Sequence, residues 1–189
     1  MPGEIVGILL AAGRGSRFGS DKLRHRLADG TPLAVAAARH FHPACERRLA
    51  VLHPGSEGLA DLLAAEGYET VICPDADAGM GHSLAAGVRA SPEAAGWLVA
   101  LADMPFILPS SHQTVAARLR AGASLAASEF NGRRGHPVGF AREWLAQLAA
   151  LTGDQGGKTI LQAHRERLQL CPVADPGVLR DIDRPDDLE

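Results

Sequence analysis

The chain has 189 residues, of which 46% are apolar and 4% aromatic, with a formal net charge of -3. That length supports one sizeable core, and the charge balance with so few rings excludes a global basic field or a set of stacking platforms for nucleic acid. Cys45, Cys73 and Cys171 are odd in number and widely spaced, which argues against a disulfide framework or a structural zinc site and makes them buried small hydrophobes. The N-terminal apolar run is too short to cross a bilayer and is preceded by Glu4 where a secretion signal would be cationic, so the expectation is a cytoplasmic protein with no membrane partner.

In chain order, apolar strand-like runs at Ile5–Ala11, Arg48–Leu52, 69–73, 97–102 and 124–128 alternate with amphipathic stretches such as PLAVAAARHF, GLADLLAAEG and SHQTVAARLRA. This alternation predicts an α/β fold, a mostly parallel sheet with helices on both faces, formed by one domain over 1–189. After Phe130 the pattern changes: NGRRG reads as a turn, HPVGF as a short returning strand, and REWLAQLAAL and KTILQAHRER as two further helices. Ligands of open α/β sheets sit beyond the carboxyl ends of the strands, so chemistry is expected in the loops after Ala12 and Ala102.

The first of these loops is unusual. Gly13, Gly15 and Gly19 can present backbone N–H groups, and Arg14, Arg17, Lys22, Arg24 and Arg26 gather there against one acid, Asp21. A solvated turn would also carry such charges, but glycine amides with an arginine fork and a lysine point charge match a triphosphate. The GxGxxxG spacing is one residue too long for a dinucleotide fingerprint, and the region about twenty residues on is helical, where that site needs a ribose-binding acid. The later GDQGGKT misses the P-loop pattern by one residue and follows a predicted helix.

Asp103 ends the run WLVALAD before Met104 and Pro105. It is either a turn-forming aspartate or a ligand for Mg²⁺, an ion that binds one or two carboxylates and keeps water and phosphate ligands. Ser83 in GMGHSLAAGV is either a helix cap or a contact to base or ribose. His136, with Arg133 and Arg134, could hold a substrate phosphate or simply be exposed on a turn.

Together, LAAGRGSRFGSDKL, GMGHSLAAGV, LADMPFI, GRRGHPVGF and GDQGGKTIL with DIDRPDDL resemble the MobA-like nucleotidyltransferases in order and spacing. With alanine at Ala12, the first motif is most similar to the MocA-like molybdenum cofactor cytidylyltransferases. The resemblance implies a three-layer, Rossmann-like fold of the nucleotide-diphospho-sugar transferase type. It further implies transfer of CMP from CTP to molybdopterin, with Mg²⁺ on Asp103 and Asp183. Within that pattern Lys22, Arg17 and Asp103 are the catalytic candidates. Leu10, Ala11, Ala12, Gly13, Gly15 and Ser83 are the nucleotide-binding ones, and Arg134 and His136 face the second substrate. The acids around Asp183 (Asp181, Asp186, Asp187) also read as a solvated cluster at a helix begun by Pro185. A related enzyme using GTP or a sugar or alcohol phosphate, and a non-catalytic factor that hands a pterin cofactor to a molybdoenzyme partner, remain alternatives. Arg24, His25 and His82 depart from the family pattern.

Overall fold

A computed structural model describes residues 3–13 and 21–188. Seven strands form one sheet in the order β3-β2-β1-β4-β6-β5-β7: β1 (Ile5–Ala11), β2 (Arg48–Leu52), β3 (Glu69–Ile72), β4 (Gly96–Leu101), β5 (Leu125–Phe130), β6 (Arg133–Ala141) and β7 (Leu168–Pro172). All neighbouring strands run parallel except β6, which is antiparallel to both β4 and β5. The α-helices among the described residues are α1 (Leu33–Phe41), α2 (Glu57–Ala65), α3 (Met80–Arg89), α4 (Pro109–Arg120), α5 (Leu145–Ala149) and α6 (Lys158–Ala163).

Each central strand is apolar on both sides because each side meets a helical layer. Along β1, Ile5, Leu9 and Ala11 pack with residues of α1, α2 and α4, whereas Val6, Ile8 and Leu10 pack with residues of α3, α5 and α6. The result is the expected three-layer α/β/α architecture. Gly7 lies under Phe41, whose ring would be 3.0 Å from any added Cβ, so the absent side chain lets α1 settle onto the sheet. After β1, β2 and β3 have built one side of the sheet, α3 crosses back and β4 pairs with the other edge of β1. The chain therefore leaves the neighbouring carboxyl ends of β1 and β4 toward opposite edges of the sheet, which makes them a topological switch point.

Several sequence expectations change in the last third. The turn expected over NGRRG is confined to Asn131 and Gly132, both with positive φ (49° and 75°), which is the two-residue hairpin that Asn-Gly favours. Arg133 and Arg134 belong instead to β6, which is longer than HPVGF alone. The stretch expected as a helix from Arg142 starts as a 3-10 turn and is helical only over Leu145–Ala149. The helix expected through HRER ends at Ala163, and after a short 3-10 turn the unanticipated β7 adds the edge strand beside β5. GDQGGKT follows α5 with no intervening strand, so it lacks the P-loop framework. All three cysteines are buried and free, and burial pushes the Cys45 thiol up to about 12. No helix among the described residues is long and apolar enough to cross a membrane.

In the α1/α4 layer His112 is 2% exposed, stands edge-on to Phe41 at 5.0 Å between ring centroids, and keeps its Nδ1 without a hydrogen-bond partner among the described residues. Burial pushes its pKa down to about 3. Between that value and the ordinary histidine value near 6.5 the unfolded chain binds a proton that the folded chain refuses, so stability falls as pH falls through this window. Urea unfolding between pH 6 and 4 is expected to show a loss of up to about 1.4 kcal/mol per pH unit from this group, reduced in His112→Leu. Equal slopes in the two proteins would show that His112 is not the buried titrating group.

Candidate active site

The buried strand β1 delivers Leu10, Ala12 and Gly13 to the switch point, and Leu10 is tied to the end of β4 by a hydrogen bond from Ala102 N to its carbonyl (3.0 Å). Gly15, Arg14, Arg17 and Gly19 lie outside the described residues. The chain then forms a 3-10 turn, Lys22–Arg24, in which Leu23 enters the core and draws its neighbour inward. Lys22 is consequently only 7% exposed, and its ammonium donates to Asp103 Oδ2 at 3.0 Å and Asp183 Oδ1 at 3.5 Å. Arg24 points away, toward Asp21 and the start of α2.

Asp103 follows β4 after Ala102, and its carbonyl accepts from Ile182 N at 2.9 Å, which lays the C-terminal segment across the β4 end. Its Oδ1 is buried with no hydrogen-bond partner among the described residues. Burial holds its carboxyl above the usual aspartate range, opposed by Lys22 and reinforced by the charges of Asp181 and Asp183. Within the acidic cluster the roles separate: Asp187 Oδ2 accepts from the backbone N–H groups of Asp183 and Arg184, which holds its carboxyl below the ordinary range. Asp181 and Asp186 are exposed.

A cavity of about 240 Å³ is lined by Leu10, Ala12, Gly13, Lys22, Ser83 and Asp103, among others. Ser83 is not a helix cap: α3 starts at Met80 after Gly79, so Ser83 sits on the inner face of the first turn, buried, at this cavity. Ala11 lies outside the lining, with its side chain turned to the opposite helical layer. His82 lines neither this cavity nor the next.

A second cavity, about 360 Å³, shares Leu10, Met80 and Leu101 with the first. Arg134 and His136 both face it. Arg133 is exposed and outside it. The β5/β6 register shifts between Ala127 and Glu129, and such a bulge re-aims the strand that carries these residues. Burial, with Arg134 adding to it, pushes the His136 pKa down to about 4, so its imidazole is neutral at physiological pH.

Asp154, Gln155 and Lys158 also line this larger cavity, a role that sequence reasoning did not assign to the GDQGGKT stretch. The signal lay in the glycines. A Cβ on Gly79 would stand 2.3 Å from the Gly153 carbonyl and one on Gly81 2.5 Å from that of Thr152, while Gly81 N donates to Gly153 O at 2.8 Å. The GMG and GDQGG stretches are thus two halves of one backbone contact.

Among the described residues no group of three or more His, Cys, Asp or Glu side chains is placed to hold a metal ion. Asp103 and Asp183 can nonetheless supply two hard oxygen donors beside a space lined by backbone and a lysine, a donor set suited to an ion that takes its remaining ligands from phosphate and water.

The MobA-like NTP transferase domain model matches residues 7–168. The chain belongs to this family. It is a nucleotidyltransferase, and nucleoside triphosphates are the ligands the family binds. It is 28% identical to the purine catabolism protein PucB of Bacillus subtilis (strain 168), across 98% of this chain and 94% of that protein. It is also 28% identical to nicotine blue oxidoreductase of Paenarthrobacter nicotinovorans, across 95% and 92%. Among solved structures, Rv0371c of Mycobacterium tuberculosis H37Rv matches with a TM-score of 0.85 at 26% identity, covering 97% of this chain and 95% of that one. The same protein in complex with manganese matches with a TM-score of 0.80 at 26% identity and the same coverage.

Replacing the lysine of this nucleotidyltransferase tests the ion pair directly. In Lys22→Met the Asp103 carboxyl loses the main influence lowering its pKa, and carbon-13 spectra of aspartate-labelled protein are expected to show it titrating at higher pH than in the parent. An unmoved titration would mean that the two groups do not interact in solution.

Proposed function

We propose that the protein is a Mg²⁺-dependent cytidylyltransferase that moves CMP from CTP to the terminal phosphate of molybdopterin and releases pyrophosphate. The observation carrying this reading is the meeting of Lys22 with Asp103 and Asp183 at a cavity that also holds Leu10, Ala12, Gly13 and Ser83. In the reaction an oxygen of the acceptor phosphate forms a bond to the α-phosphorus of CTP. The bond from that phosphorus to the oxygen bridging to the β-phosphate breaks, and its electron pair leaves with pyrophosphate.

A phosphate-monoester nucleophile is largely ionised near neutral pH, so no side-chain base is needed, and no histidine lines the smaller cavity. The protein's work is alignment and charge neutralisation. Lys22 places a positive charge where the α-phosphate gathers negative charge, with Asp103 holding the ammonium in position. Ser83 and the backbone of residues 10–13 hold base and ribose. Arg17 and the amide of Gly15, which lie outside the described residues, are assigned to the leaving pyrophosphate. In the larger cavity Arg134 meets the acceptor's charge and neutral His136 offers a hydrogen bond. Asp103 and Asp183 are the residues that would hold Mg²⁺, and the buried, unpartnered Oδ1 of Asp103 supports that assignment. When bound, the ion supplies further neutralisation of phosphate oxygens. The manganese complex of Rv0371c supports a divalent cation in this family.

The name of nicotine blue oxidoreductase points a second way, to redox catalysis. Against it, α1 occupies the stretch about twenty residues beyond the glycine loop where a dinucleotide site needs its ribose-binding acid.

Pyrophosphate release measured with CTP and with GTP, each with and without molybdopterin, is expected only for CTP with the pterin. Turnover with GTP or with a sugar phosphate would reassign the substrate. Tight pterin binding with no release under either nucleotide would replace the reading with that of a carrier serving a molybdoenzyme. Lys22→Ala and Asp103→Ala are each expected to slow the chemical step by about 2–4 kcal/mol, the loss typical of one preorganised electrostatic group. Full activity in either variant would remove that residue from the mechanism.

A further inference from the structure

Asp183 reaches the site by an indirect route. The chain leaves β7 at the outer edge of the sheet, beyond β5 and β6, and must return across them to the end of β4. We propose that Asp175 is the positioning residue that clamps this returning strap to the Asp103 loop and so sets where Asp183 stands. The proposal rests on the reading of Asp103 and Asp183 as cation ligands.

Asp175 is 3% exposed, and both of its carboxylate oxygens are engaged. Oδ1 accepts from Gly177 N at 2.9 Å, while Oδ2 accepts from Leu108 N at 2.8 Å and Ser111 Oγ at 2.6 Å. One bond shapes the strap itself, and the other two fasten it to the first turn of α4. Since the α4 entry continues directly from Asp103, the anchor and the metal-site aspartate are carried on one short stretch of backbone.

Between Asp175 and Asp183 the strap has little freedom. A Cβ on Gly177 would stand 2.2 Å from the Phe106 carbonyl and one on Gly135 2.1 Å from that of Val178, so backbone meets backbone at both crossings. Val178 is buried with Met104 and Ile107, and the Arg180 guanidinium lies 4.4 Å over the Phe106 ring. Ile182 is fully buried and donates its N–H to Asp103 O at 2.9 Å, and the next residue, Asp183, accepts from Lys22.

Three donors converge on Asp175, so an amide in its place would turn its NH₂ toward one of them. Mn²⁺ binding to the full chain, followed by electron paramagnetic resonance of the free ion with a non-hydrolysable CTP analogue present, is the readout. Asp175→Asn is expected to weaken Mn²⁺ about tenfold or more, as loss of a group that orients a metal ligand typically does, while analogue affinity without metal stays within about twofold. Ser111→Ala, which removes one of the three bonds and leaves the carboxylate, is expected to weaken Mn²⁺ less, and it serves where the asparagine variant does not fold. Asp183→Asn separates the two readings. If it weakens Mn²⁺ while both Asp175→Asn and Ser111→Ala bind as the parent does, the clamp is refuted and the metal site stands. If Asp183→Asn binds Mn²⁺ as tightly as the parent, both readings fall.

Discussion

An ammonium group withdrawn from water is costly unless negative charge meets it, and at Lys22 two carboxylates do so from sequence separations of 81 and 161 residues. That requirement organises the surrounding chain. Leu23 draws the lysine inward, the β4 end supplies Asp103, and the C-terminal segment must lie across the β4 loop for Asp183 to join them. The balance is uneven, since Asp103 keeps one buried oxygen without a donor among the described residues, and burial holds its carboxyl above the ordinary range. A site with negative capacity left over beside a fixed positive charge has room for an anionic substrate and, on the proposed reading, for a cation.

The switch point accounts for where this happens, and the glycines account for its shape. Leu10, Met80 and Leu101 form a wall common to both cavities, so a ligand in one has its neighbour a single side chain away. Met80 keeps its place because Gly79 and Gly81 on either side of it press against the backbone of Thr152 and Gly153. A methyl group at either position would push the 152–158 segment outward and open the larger cavity toward solvent. The GMG motif therefore acts through a contact with a segment about seventy residues later, in addition to starting a helix.

Much of this architecture was legible in the sequence because it depends on short-range pattern. Strands β1, β2 and β4 are buried apolar runs, their helices have a clear 3.6-residue period, and the LAAG and LADMP loops follow strands whose carboxyl ends must meet once the order is 3-2-1-4. What escaped depends on tertiary partners. LQLCP is exposed or half-exposed at every position but Cys171, as an edge strand is, and follows a basic helical stretch, so only its pairing with β5 defines it. Ser83 suits a cap by residue type, yet Gly79 occupies that place and leaves the serine facing the cavity. Asp175 reads locally only as a turn residue before Pro176 and Gly177, since its other two donors, Leu108 and Ser111, lie more than sixty residues away in sequence.

The two cavities also differ in how tightly the fold constrains them. The smaller is built from the ends of β1 and β4 and the first turn of α3, which the central parallel sheet holds, with Lys22 and Leu23 of the 3-10 turn and Ala76 completing it. The larger takes much of its polar lining from a bulged antiparallel strand and from the 152–158 segment, neither of which the sheet's parallel core dictates. Changes in β6 or in that segment can alter the pocket without disturbing Lys22 and Asp103. This division allows relatives matched over nearly their full length, such as PucB and nicotine blue oxidoreductase, to carry names from different metabolism while keeping one framework. Substrate identity in this chain is accordingly sought first at Arg134, His136, Asp154, Gln155 and Lys158, where packing leaves chemistry free to vary.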